Sequence, residues 1–224
     1  MTNTPRKRPG GGIKPNHDAH AVDLHRAIAD CTLCADHLPQ GPRPIAQFSP
    51  RSRIVIIGQA PGSKVHRSGI AWDDDSGDRL RAWLGLDKGT FYDPEIVALV
   101  PMGFCYPGKA SGGDKPPRRE CAPQWHDKVI ATLPVDRLTL LVGFHAQTHY
   151  LTGTRSLTMT QRVQRWTQGG EDFATAIPLP HPAWRSRIWM GKHSWFETDT
   201  LPAVRSRIDR WLSRHRDGVG QAMR

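Results

Sequence analysis

Arg53-Ile54-Val55-Ile56-Ile57, running directly into Gly58-Gln59-Ala60-Pro61-Gly62, is the stretch that decides the fold. Four β-branched residues in a row, with no polar residue alternating between them, read as a strand buried on both faces, as in a parallel sheet covered by helices. The Gly- and Pro-containing sequence that follows reads as a tight loop at the carboxyl end of that strand. Outward from it, residues 96–102 (IVALVPM) and 138–142 (LTLLV) are two more apolar runs, and residues 173–179 form a fourth that ends at Pro180-His181-Pro182. Pro101 restricts its run to a sheet edge or a strand terminus, because proline has no N–H for the ladder. Helical segments separate the runs: residues 18–30, residues 77–84 with Ser76 as cap and Leu80, Trp83 and Leu84 on one face, residues 120–133, residues 143–150, and an amphipathic closing helix over residues 201–212. Residues 108–119 read as a polar surface loop and residues 153–170 as a polar, hairpin-like region. Strands alternating with helices predict an α/β fold, a three-layer α/β/α sandwich around a short, mostly parallel four-stranded sheet. The site is then expected at the carboxyl ends of the strands.

A chain of 224 residues is long enough for one domain with an adequate core, placed here over residues 18–213. No run approaches the ~18 apolar residues of a membrane span, and no period of roughly 20–50 residues repeats. The expectation is a soluble monomer, and the lack of an apolar N-terminal stretch points to the cytoplasm. Lys and Arg number 31 against 21 Asp and Glu, a formal charge of +10 that suits a polyanion such as DNA. Part of that excess lies in a basic tail over residues 1–17 (Arg6, Lys7, Arg8, Lys14) and a flexible tail over residues 214–224.

Four cysteines complete the pattern. Cys31-Thr32-Leu33-Cys34 presents two sulfurs from one turn, and Cys105 and Cys121 follow with fifteen residues between them. Zinc ribbons usually repeat the close spacing in both halves, whereas iron-sulfur clusters take cysteines at irregular intervals. A 4Fe-4S cluster is the expectation; a structural zinc site and four free, buried thiols remain as alternatives.

Two loops carry polar or basic residues at strand ends: Gly58-Gln59-Ala60-Pro61-Gly62 and His181-Pro182-Ala183-Trp184-Arg185. Together with the cysteines, in this order and spacing, they resemble the uracil-DNA glycosylase superfamily, most closely its iron-sulfur branches, families 4 and 5, over roughly residues 30–212. GQAPG is similar to the first motif GEAPG of family 4, and HPAWR to the second motif beginning HPS. Residues 69–78 (GIAWDDDSGD) resemble the family 5 stretch in which an aspartate precedes x-Ser-Gly-Asp.

The resemblance implies site residues. Asp74 falls on the family 5 catalytic carboxylate, which stabilises the oxocarbenium-like sugar and positions water; its plainer role is that of an acid at a helix N-terminus. His181 is implied as the donor to O2 of the departing base, against the alternative of a structural histidine. Gly58, Gln59, Ala60 and Gly62 are implied to line the base pocket. Trp72 stands where family 4 stacks an aromatic on the flipped base, although core packing would also account for it. Pro182, Trp184 and Arg185 are implied as DNA contacts, Trp184 as a wedge and Arg185 on phosphate, with Lys64 nearby. The four cysteines are implied as cluster ligands.

Departures from the family are specific. Gln59 cannot ionise as the first-motif carboxylate does. Pro101 replaces the asparagine that reads the uracil edge, which leaves backbone groups near Met102 and Gly103, or Gln59, to read the base. Ala183 replaces the serine of HPS; Gly62, as in family 4, stands where the stringent family 1 enzymes carry a bulky filter against thymine. The histidine insert of the covalently linking relatives is not recognisable, and no lysine in the motif loops marks a Schiff base, with Lys64 not excluded. The implied function is a monofunctional DNA glycosylase that cleaves uracil or another deaminated base, hypoxanthine and xanthine included, and leaves an abasic site. The alternative is a non-catalytic iron-sulfur protein that binds damaged DNA or RNA.

Overall fold

The computed structural model describes residues 17–170, 173 and 176–221. The N-terminal basic tail therefore lies outside the described residues, apart from His17. In chain order the elements are α1 (His17–Ala29), β1 (Ile54–Ile57), α2 (Ser63–Ser68), α3 (Asp75–Leu84), α4 (Lys88–Tyr92), β2 (Val97–Leu99), β3 (Lys109–Ala110), β4 (Gly113–Asp114), α5 (Cys121–Thr132), β5 (Leu138–Val142), α6 (Phe144–Tyr150), α7 (Met159–Thr167), β6 (Ala176–Leu179), α8 (Ser186–Lys192) and α9 (Leu201–Gln221).

Strands β2-β1-β5-β6, in that order, form one fully parallel sheet. The α/β sandwich follows from what each strand presents on its two faces. Ile54 and Ile56 share one face with Val97, Leu99, Leu138, Leu140, Ile177 and Leu179, packed against α3 (Leu80, Trp83, Leu84) and α9 (Val204, Ile208). Val55, Ile57, Ala98, Val100 and Leu141 face the other way, against α1 (Leu24, Ile28), α5 (Trp125, Val129) and α6 (Ala146). Residues 54–57 are completely buried. At about 1.5–3 kcal/mol per buried aliphatic side chain, these four contribute an amount comparable with the net stability of a domain. The loop that follows β1 is therefore held on a fully buried strand.

Several local expectations are corrected. The N-cap of α3 is Asp74, whose Oδ1 accepts the Gly77 N–H at 2.8 Å, so the helix starts before Ser76. The hairpin-like region contains α7, started by a capping box in which Thr158 and Gln161 satisfy each other's backbone N–H groups. Residues 108–119 hold the short antiparallel hairpin β3–β4, turned at Gly112 with φ +82°. The last helix continues to Gln221, past the end expected at 212. Pro101 follows β2, which ends at Leu99, and Pro178 sits in the edge strand β6, where a missing N–H is tolerated.

Candidate active site

In a parallel sheet of this order the connection after β1 runs to β2 on one side and the connection after β5 runs to β6 on the other, which opens a crevice at the carboxyl ends of β1 and β5. GQAPG leaves β1 there. Gly143 leaves β5 with φ +90°, and a side chain on it would come within 2.6 Å of Gln59 Nε2, so glycine at this position makes room for the glutamine. The crevice is a cavity of about 610 Å³, large enough for a nucleobase with its sugar.

Trp72 is the non-glycine residue with positive φ, +59°, among the described residues. Such a backbone is strained for a bulky residue and persists only where its surroundings enforce it. Here Tyr92 donates to the Trp72 carbonyl at 3.2 Å, and the same carbonyl packs on Gly77 so tightly that any Cβ there would overlap it. The indole lies over Gly58, where a Cβ would come within 2.7 Å of Cζ2, and its plane is stacked on the His181 ring with centroids 5.7 Å apart. Gly77→Ala reverses the usual helix preference: about 1 kcal/mol of propensity gain is set against about 1–3 kcal/mol of overpacking. The variant is expected to melt below the parent protein and to lose activity along with the Trp72 placement, as thermal melts and a cleavage assay would read.

Asp74 is half-buried, and its two oxygens face different ways. Oδ1 caps α3, while Oδ2 lies 3.8 Å from the point where a Gly62 Cβ would sit, in the cavity. Burial raises its pKa, opposed by the Gly77 and Ser76 backbone N–H groups; Asp75 adds to the rise and Lys64 opposes it. His181 enters from the end of β6, and burial lowers its pKa to about 4. At neutral pH its ring is therefore a neutral imidazole, able to donate one N–H without carrying a charge of its own.

Gly58, Gln59, Ala60, Gly62, Trp72, Asp74, His181, Trp184 and Arg185 all line this one cavity. The remaining site expectations fall elsewhere. Met102 and Gly103 do not line it. Their amides donate to the Gly58 and Gln59 carbonyls, at 3.0 and 2.9 Å, and so hold the GQAPG loop rather than facing a base. Pro101 does line the cavity, but its carbonyl accepts from His126 Nε2 at 2.9 Å. Lys64 is paired with Asp75 at 3.0 Å on the exposed surface, and the Pro182 carbonyl accepts from Arg79 at 2.7 Å. Trp184 is 65% exposed at the rim, with the Arg185 guanidinium 5.4 Å from the centre of its ring.

The β3–β4 hairpin was not anticipated as part of the site. Ser111, Gly112, Gly113, Asp114 and Lys115 form one wall of the cavity, and Arg185 donates to the Gly112 carbonyl across its mouth. The Ser111-Gly112-Gly113 turn was the available signal in the sequence.

The four cysteines line a second, smaller cavity behind Gly103 and Phe104. Cys31 and Cys34 come from the end of α1, Cys105 from the segment after β2, and Cys121 opens α5. Cys105 and Cys121 are buried, and burial pushes their thiols up to about 11 and about 12. The Phe104 N–H points at Cys121 Sγ at 3.2 Å. Among the described residues no three His, Cys, Asp or Glu side chains are drawn close enough to hold a single metal ion. No described helix is long and apolar enough to cross a membrane.

A parallel α/β sandwich with a carboxylate, a neutral imidazole and an aromatic plate converging at its switch point defines the class. The family model of the Uracil DNA glycosylase superfamily matches residues 45–205, and the chain belongs to that superfamily. Its general chemistry is DNA glycosylase hydrolysis.

Proposed function

We propose that the protein is a monofunctional DNA glycosylase that takes uracil, or another deaminated base, out of the stack and hydrolyses its N-glycosidic bond to leave an abasic site. The observation that carries this is the convergence of Asp74 Oδ2, His181 and Trp72 on one cavity floored by GQAPG. Trp72 offers the base a flat apolar face. His181 donates to the base oxygen that gains charge as the bond breaks, and Asp74 faces the sugar as positive charge develops there. The exposed Trp184 is suited to fill the gap left in the stack, and Arg185 to meet phosphate.

With the Met102 and Gly103 amides engaged in the loop, Gln59 is the side-chain amide left in the cavity to read the base edge. An amide offers one acceptor and two donors and suits the O4/N3–H edge of uracil as well as the O6/N1–H edge of hypoxanthine. Base choice is therefore broad. The test is release of uracil, hypoxanthine and xanthine from otherwise identical single-stranded and duplex oligonucleotides. Cleavage of uracil and at least one purine lesion, faster in mispaired or single-stranded substrate because flipping then costs less, is the expected result; no cleavage of any base would overturn the proposal.

The donor set behind the site suits a 4Fe-4S cluster held by Cys31, Cys34, Cys105 and Cys121. Backbone N–H groups aimed at Cys121 and Cys105 are the hydrogen bonds that thiolate ligands accept, and the N-terminus of α5 favours negative charge on Cys121. A bound cluster would supply positive charge to keep these buried sulfurs deprotonated and would tie three chain segments together.

A further inference from the structure

A second carboxylate faces Asp74 across Gly62. The position a Cβ on Gly62 would take lies 3.4 Å from Asp114 Oδ2 and 3.8 Å from Asp74 Oδ2, so both oxygens surround one small space that glycine leaves open. Gly62 needs no unusual backbone, with φ −83° and ψ 176°, so conformation does not require glycine there. The space does. It is bounded by two carboxylate oxygens of residues that line the base cavity, at distances a water oxygen could bridge.

Asp114 is held in place. The phenol of Tyr106, which is 2% exposed, donates to Asp114 Oδ1 at 3.2 Å and leaves Oδ2 to the cavity. The β3–β4 ladder pairs Asp114 with Lys109, and the Lys115 N–H closes the hairpin on the Gly108 carbonyl at 2.8 Å. Arg185 fixes the turn through the Gly112 carbonyl. An exposed hairpin with this many tethers and one carboxylate oxygen turned inward is a positioned group.

We propose that Asp114 is a second catalytic carboxylate, which holds the attacking water over Gly62 and takes its proton, while Asp74 faces the cationic sugar. The proposal rests on the glycosylase reading above. In the step, the water oxygen bonds to C1′ as the bond from C1′ to the base nitrogen breaks. The bonding pair leaves with the base, whose charge the His181 N–H disperses until solvent protonates it. One water proton passes to Asp114, which returns it to solvent. A carboxylate that activates water is also what inverting glycoside hydrolases use, although there the second carboxyl protonates the leaving group, which here is served by the His181 N–H.

This assigns Gly62 a purpose different from a relaxed base filter, and the two are separable. A methyl at Gly62 would sit at ordinary contact distance from both carboxylates, without strain, in the place of the water. Single-turnover release of uracil by the full chain would be compared for the parent protein, Asp114→Asn, Gly62→Ala and Asp74→Asn, with duplex affinity measured by fluorescence anisotropy. Asp114→Asn, which still accepts from Tyr106, is expected to slow release by about 100-fold or more with affinity unchanged. Gly62→Ala is expected to lose activity on every base alike, and formate added to Asp114→Ala to restore part of the rate. If Asp114→Asn disturbs the hairpin, Gly62→Ala, which alters no hairpin residue, carries the test. Asp114→Asn and Gly62→Ala within about threefold of the parent, alongside an inactive Asp74→Asn, would sink the role of Asp114 alone. A parent protein inactive on every base would instead sink the glycosylase reading.

Discussion

Asp74→Asn is expected to lower single-turnover base release by about 100-fold or more at neutral pH, the usual cost of removing one positioned electrostatic group, while the fold and DNA affinity persist. The variant is informative because the two oxygens of Asp74 have separate tasks. Oδ1 caps α3 through the Gly77 N–H, and an asparagine oxygen caps a helix as well as an aspartate does. Only the negative charge facing the cavity is lost. The sign of the stability change follows from the raised pKa of Asp74. An aspartate that binds its proton more tightly in the folded than in the unfolded state costs stability once it ionises, above that raised pKa. A neutral amide removes this cost, so the melting temperature of Asp74→Asn at pH 7 should equal or exceed that of the parent. The pH profile adds a second check. As pH falls through the raised pKa, Asp74 protonates and the parent's rate drops, so the acid limb lies above the range of an ordinary aspartate. His181, with its pKa lowered to about 4, should add no inflection of its own at neutral pH. A fully active Asp74→Asn, or a parent rate flat into acid, would remove Asp74 from the chemistry.

The parts of this molecule that were legible in its sequence are those where a single physical demand dominates. Ile54–Ile57 reads as a doubly buried strand because a short run of four β-branched residues ending at Gly and Pro favours a sheet covered on both faces over a helix, and the positions of β5 and the GQAPG loop follow from the same logic. Asp74 was legible only as a choice between a helix acid and a catalytic acid. The structure gives it the N-cap and a place in the cavity together, because a carboxylate has two oxygens. What escaped the sequence depends on tertiary placement. α7 is polar on most of its surface, and its start is marked only by the Thr158 and Gln161 box, easily read as a turn. Met102 and Gly103 looked like free amides at a strand end, but the return of the GQAPG loop claims them both. Asp114 lies in an exposed Gly-, Lys- and Pro-rich segment that has every local mark of a solvated loop. Only the folding of the hairpin against Gly62 and Arg185 brings it to the site.

Replacing any one of Cys31, Cys34, Cys105 or Cys121 by alanine is expected to abolish the brown colour and violet absorption band that the purified protein should show, and to release its iron. The four residues sit on three separate segments, at the end of α1, after β2 and at the start of α5, yet they line one small cavity. A cluster there would act as a cross-link over long stretches of chain. A covalent cross-link closing loops of such length is worth about 2–5 kcal/mol, which a domain of this size reads as a fall of roughly 4–20 °C in melting temperature. The loss should be larger for Cys105 and Cys121, which are buried, than for Cys31 and Cys34, which are half-buried. Base release should suffer less than stability, because Gly103 lies between the two cavities and its N–H bond to Gln59 is a backbone contact that survives loss of the cluster. Iron and sulfide analysis of freshly purified protein, followed by melts of the four variants, decides the matter. One zinc and no iron per chain would give the site to zinc, and metal-free protein of unchanged stability in all four variants would leave these cysteines as ordinary small apolar residues.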